Sequence, residues 1–156
     1  MTAIRRGGAD DLDAVAAIQQ ASTGAAGWRV ADYLEQEFLV ALEGNRIVGF
    51  LVARTLVAGE REILNLAVAP DFRRKGVARA LLDRALEGFY GDVFLEVRES
   101  NGVAQKFYKS LGFKGLRSFS GRKDTRRTPA TTKRWRKCCA FWICTPRWPR
   151  TSWRCR

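Results

Sequence analysis

The chain has 156 residues, 46% of them hydrophobic and 28% charged, the proportions of one soluble globular domain and too few residues for two ordinary cores. No run reaches the roughly 18 consecutive apolar residues of a membrane helix, and residues 1–13 lack the apolar core of a secretory signal, so a cytoplasmic address is expected. The net charge of +12 is unevenly spread. Residues 1–114 balance 15 basic against 15 acidic side chains, whereas residues 115–156 carry 13 basic residues against Asp124 alone, with all four cysteines and four of the five tryptophans. Two compositions meet near Gly115, dividing the chain into a domain over 1–114 and an atypical basic segment over 115–156.

In chain order, residues 2–6 read as a short strand ending at Gly7-Gly8. Asp10 is a candidate N-cap for a helix to about Ala21, with Leu12, Val15, Ala16 and Ile18 on its apolar face. A second short helix is expected over 30–36, followed by the apolar run 38–42. Glu43-Gly44-Asn45-Arg46 predicts a hairpin turn, and 47–54 the returning strand. Residues 62–68 predict another strand, punctuated by Pro70 and Asp71. A helix begins near Lys75 with Val77, Leu81, Leu82, Ala85 and Leu86 inward. Residues 92–97 predict a strand and 102–111 a helix ending at Gly112, a natural C′ residue. This alternation implies a βαβ crossover.

The segment from Asn65 to Leu82 is the most informative. A strand runs through a basic, glycine-containing loop into a helix, so several backbone N–H groups and the helix dipole converge on one spot. Gly76 and the small Ala78 permit close approach, while Arg73, Arg74, Lys75 and Arg79 add charge; the arrangement suits a pyrophosphate. Taken alone, the same turn could equally be a connection whose basic side chains face water.

Arg73-x-x-Gly76-x-Ala78 resembles the signature of the GNAT acyltransferases, with alanine in place of the commoner second glycine. The string Leu95-Glu96-Val97-Arg98-Glu99-Ser100-Asn101, with Ala104 and Tyr108-Lys109-Ser110-Leu111-Gly112-Phe113 behind it, resembles the RimI-like branch, which acetylates protein N-termini. The likeness covers residues 1–113. It implies a three-layer α/β GNAT (acyl-CoA N-acyltransferase) fold with a mixed, twisted sheet, and acetyl-CoA as donor without a metal. By the same resemblance Glu96 is the general base and Tyr108 the acid that reprotonates the coenzyme A thiolate. The backbone of Leu66, Ala67 and Val68, the turn Arg73-Arg74-Lys75-Gly76-Val77-Ala78-Arg79, and Asn101 hold the coenzyme. The expected acceptor is a protein or peptide N-terminus, of the small-subunit ribosomal-protein alanine type; a small-molecule amine is the alternative. Direct transfer suits a body without Cys and a chain without His. Simpler roles remain open: a solvated strand-end carboxylate for Glu96, a half-buried aromatic for Tyr108, an N-cap for Asn101. Trp28 matches a position near the substrate in relatives, or packs on the surface.

After Phe113 the family pattern of a closing β-hairpin is missing, and an atypical basic tail takes its place. The abrupt compositional change is what a shifted reading frame in a GC-rich gene produces. Taken at face value, the tail's basic and tryptophan residues would suit nucleic acid, on a GNAT body that is then catalytically impaired. Adjacent Cys138-Cys139 with no Cys-x-x-Cys pair argues against zinc. The apolar run 138–144 is the expected strand.

Overall fold

The computed structural model describes residues 2–22, 27–98, 100–118 and 139–144. The chain divides into two compact units, residues 1–93 and 94–156.

In the first unit four strands form an antiparallel array, β1 (Ala3–Arg6), β2 (Glu37–Glu43), β3 (Arg46–Val57) and β4 (Glu60–Val68), each paired with the next. Two helices, α1 (Leu12–Gln20) and α2 (Val77–Ala85), pack on them. One face of the strands meets α1 in a core of Val15, Ile18, Tyr33, Phe38, Val40, Phe50, Val52, Ala67 and Ala69. On the other, α2 lies so close to β3 that a Cβ on Gly49 would stand 3.2 Å from Val77 Cγ1 and 3.3 Å from Leu81 Cδ1. With both faces covered, β2 and β3 read as near-continuous apolar runs rather than alternating ones. The predicted inner face of the second helix (Val77, Leu81, Leu82, Ala85, Leu86) is buried throughout.

The β2–β3 hairpin turns at Gly44-Asn45, as the sequence predicts. The strand predicted over 47–54 instead runs to Val57, because 55–61 closes a second hairpin at Gly59, with Arg54 paired to Glu62 at 2.7 Å. The β3–β4 register slips between Val52 and Ala53 of β3, which face Asn65 and Ile63 of β4. The extra residue, Leu64, forms a β-bulge that turns both Leu64 and Asn65 toward the α1 side.

The short helix expected over 30–36 is present as a 3-10 helix, Val30–Glu35. One expectation is corrected. The first helix is not capped by Asp10, which lies inside a 3-10 turn, Ala9–Asp11. The working carboxylate is that of Asp11, 6% exposed, which accepts the Gly8 N–H at 2.9 Å and both Arg5 nitrogens at 2.7 and 2.8 Å. The Arg5 bonds hold its carboxyl below the usual range. Geometry explains the swap: the side chain three residues beyond Gly8 can reach back to its amide, and the one at 10 is a residue too early.

Arg61 secures the far end of the unit. It pairs with Glu37 at 3.1 Å, donates to the Ala85 carbonyl at the end of α2, and lies over the Phe89 ring at 4.7 Å. A positive side chain there also meets the negative end of the helix dipole.

The second unit contains most of β5 (Asp92–Arg98), α3 (Gly102–Ser110), β6 (Lys114–Ser118) and β7 (Cys139–Cys144), with β6 and β7 antiparallel. The remainder of the basic segment, 119–138 and 145–156, lies outside the described residues.

Candidate active site

The first unit carries the turn predicted to hold the coenzyme. The chain leaves β4 at Val68, where the Ala69 N–H bonds the Val48 carbonyl at 2.8 Å. It makes one 3-10 turn, Pro70–Phe72, and enters α2 through Gly76. Gly76 stands at φ 83 and ψ −3, with nothing within 4 Å of where a Cβ would project. Arg74, at φ 60, is a non-glycine residue in the same left-handed region, a conformation that costs on the order of 1–3 kcal/mol and concentrates at ligand sites. The first turn of α2 has no intrahelical acceptors for its N–H groups. The turn therefore offers amide donors, the positive end of a dipole and open space over Gly76, which suits an anion approaching the main chain.

The basic side chains are engaged differently from the sequence expectation. Arg73 turns back, donating from Nε to the Val68 carbonyl at 3.1 Å and from Nη2 to the Ala21 carbonyl and Ser22 Oγ at 3.3 and 3.2 Å. It thus ties the loop to the C-terminal end of α1, where a cation is favoured. Lys75 Nζ and the Arg46 guanidinium lie over the Phe72 ring at 4.9 and 5.4 Å. Arg79 faces Asp83 at 3.7 Å, and Arg74 is exposed. In this arrangement the groups left to face an anion are chiefly those of the backbone.

Leu66, Ala67 and Val68 end β4; Ala67 is 6% exposed and Leu66 is partly so. Asn65, just before them, is buried and hydrogen bonded to Tyr33 Oη at 2.7 Å. Sequence reasoning did not single out this pair. The available signal was a polar residue sharing the buried parity of Ala67 in an apolar strand.

The second unit carries the predicted acid and base. Along β5, Leu95 and Val97 are buried while Glu96 between them is exposed, by simple strand alternation. Asn101 caps α3, its Oδ1 accepting the Ala104 N–H at 3.1 Å. Tyr108 is 7% exposed, its ring edge-on to Phe107 and Phe113 at centroid distances of 5.1 and 5.5 Å. Burial raises its phenol well above the ordinary value, which keeps it protonated near neutral pH. The helix end fixes this side chain: Gly112 adopts φ 89, its N–H bonds Lys109 O at 3.0 Å, and the Phe113 N–H bonds Tyr108 O at 3.1 Å. These two bonds form a Schellman motif, whose customary apolar contact is the Phe113–Tyr108 ring pair. Among the described residues no cluster of metal-ligating side chains occurs, and no helix is long and apolar enough to cross a membrane.

Strands covered on both faces by helices, with β4 leading through a left-handed glycine into α2, make the first unit an α/β fold. A profile of the Acetyltransferase (GNAT) family matches residues 14–113, and the chain belongs to that family. A [ribosomal protein bS18]-alanine N-acetyltransferase from Haemophilus ducreyi is 37% identical over 87 residues, covering 53% of this chain and 57% of that protein. The chain thus spans little more than half the length of that curated relative. The crystal structure of the ribosomal-protein-S18-alanine N-acetyltransferase from Escherichia coli matches at 26% identity, 92% of each chain and a TM-score of 0.68. The Ard1 structure from Thermoplasma volcanium matches at 27% identity, 92% and 96% coverage and a TM-score of 0.75.

Proposed function

We propose that this chain transfers the acetyl group of acetyl-CoA directly to a protein or peptide N-terminal amine, of the ribosomal-protein alanine type. The observation that carries the reading is the left-handed Gly76 at the start of α2, with open space where its Cβ would be. That geometry favours an anion held by main-chain amides, as the pyrophosphate of a coenzyme A donor requires. The backbone of Leu66–Val68 receives the pantetheine arm, with Asn101 as a further contact. Glu96 takes the amine's proton, directly or through water. The neutral nitrogen attacks the thioester carbonyl, the carbon–sulfur bond breaks, Tyr108 gives its proton to the departing thiolate, and the proton the nitrogen sheds as the amide forms restores the Tyr108 phenol. Burial keeps the phenol protonated, so a proton is there to return. The identity of the H. ducreyi relative supports the N-terminal acceptor.

The test is a calorimetric titration of the full chain with acetyl-CoA, followed by turnover on a peptide with a free N-terminal alanine and on a panel of small amines. One saturable site and transfer to the peptide α-amine are expected. Binding with transfer only to small amines would move the acceptor to that class, and no binding would remove the reading.

A further inference from the structure

Asp11 and Asn65 are the buried polar or charged residues among those described. Asp11 is accounted for by Arg5 and Gly8. Asn65 is buried against Tyr33, which sits in the apolar cluster of Val15, Ile18, Phe38, Val40 and Phe50. Asn65 Nδ2 donates to Tyr33 Oη at 2.7 Å and reaches Gln19 Oε1 at 3.3 Å. The Tyr33 hydroxyl donates to Gln19 Oε1 at 2.5 Å, and Gln19 Nε2 donates to the Trp28 carbonyl at 2.9 Å. The end of α1, the stretch at Trp28, the 3-10 helix Val30–Glu35 and β4 are thereby joined in one network.

Packing alone does not call for these polar atoms. Tyr33 is 1% exposed, with its ring 5.9 Å from Phe38 and 5.7 Å from Phe50, so phenylalanine would fill the same space. Burying a hydroxyl and an amide is costly unless each is satisfied, and a satisfied network admits one geometry where an apolar contact admits several. That geometry sets residues 27–36 against the strand position next to Leu66. The segment exposes two large apolar side chains, Trp28 at 37% and Leu34 at 46%. Arg73 makes a second tie nearby, from Ala21 and Ser22 to the Val68 carbonyl.

Building on the acetyl-transfer reading, we propose that Gln19, Tyr33 and Asn65 are positioning residues. They hold the 27–36 segment in register with the donor strand β4, so that its exposed apolar side chains meet the acceptor where the thioester is presented. The three touch neither the donor nor the acceptor; they act through the backbone on either side.

The experiment compares the full 156-residue chain with Tyr33→Phe, Asn65→Leu and the double variant. Hydrogen exchange without ligand reads the tie itself. In Tyr33→Phe, exchange should rise about fivefold or more both in 27–36 and in 64–68, as loss of one net hydrogen bond implies. A rise confined to one segment, or none, overturns the proposal. Steady-state kinetics on an alanine-initiated peptide read the consequence. The acceptor kcat/KM should fall about fivefold or more while the acetyl-CoA Kd stays within about twofold, and the double variant should be little worse than either single one. A lowered thermal midpoint with unchanged acceptor kcat/KM would make the network merely structural and overturn the proposal. If the wild-type chain binds no acetyl-CoA, the acetyl-transfer reading falls, and the exchange result still decides the tie.

Discussion

Replacing Gly76 separates what the turn does for the fold from what it does for the donor. A Cβ at this position would meet no protein atom within 4 Å, so Gly76→Ala adds no clash. Its cost is conformational: an L-residue at φ 83 loses about 1–2 kcal/mol. For a body near a hundred residues, each kcal/mol lowers the unfolding midpoint by roughly 4–8 °C. The methyl group would occupy the space an anion needs to reach the main-chain amides. Losing one such charge-assisted bond, about 1.5–3 kcal/mol, should raise the acetyl-CoA Kd by roughly 10- to 100-fold. Gly76→Asn supplies the control, because asparagine tolerates the left-handed region yet still carries a side chain. Its midpoint should stay close to wild type while its affinity falls as in Gly76→Ala. Calorimetric titration and thermal melts of both variants decide the matter. Wild-type affinity in Gly76→Asn would show that the glycine serves only the turn and that the anion reading is wrong.

Three further outcomes follow from the geometry. Tyr108→Phe keeps the ring contacts with Phe107 and Phe113 but removes the acid, so kcat should fall on the order of 10²-fold or more with acetyl-CoA affinity intact. Because burial raises the Tyr108 phenol, the form that donates persists to alkaline pH, and pH–rate profiles should show no loss from this group below about pH 10. Asp11→Asn should destabilise the chain by about 1 kcal/mol near neutral pH, read by denaturant melts, through its weakened bonds to Arg5 and Gly8. Asp11's folded pKa is depressed, so its contribution is full above the unfolded value near 3.9 and is lost as pH falls through the lower folded value. The gap between variant and wild type should close there.

The sequence makes legible those elements whose signal is local. Gly44-Asn45 marks the first hairpin, the apolar stripe of α2 marks its buried face, and Gly112 marks the end of α3. The second hairpin escapes it, because Leu56-Val57-Ala58-Gly59 continues an apolar run and the cross-strand pairing of residues 54–57 with 60–62 closes it. The short helix at 30–35 is 3-10 because its hold is tertiary, through Tyr33, rather than helical periodicity. Charge counting around Gly76 also misleads about mechanism. It treats Arg73, Lys75 and Arg79 as equivalent, whereas the fold directs them to a helix end, an aromatic ring and Asp83 respectively. Which carboxylate receives Arg5, Asp10 or Asp11, depends on a reach of a single residue. The bulge that turns Asn65 toward Tyr33 depends on strand register, which composition does not record.

Mass-spectrometric detection of the acetylated product tests the proposed transfer most directly. The 156-residue chain is incubated with acetyl-CoA and a peptide bearing a free N-terminal alanine and an internal lysine. Acetylation of the α-amine, dependent on Glu96 and Tyr108, is expected, with the lysine untouched. Absence of transfer to any amine, under conditions where acetyl-CoA binds, would contradict the proposed transfer.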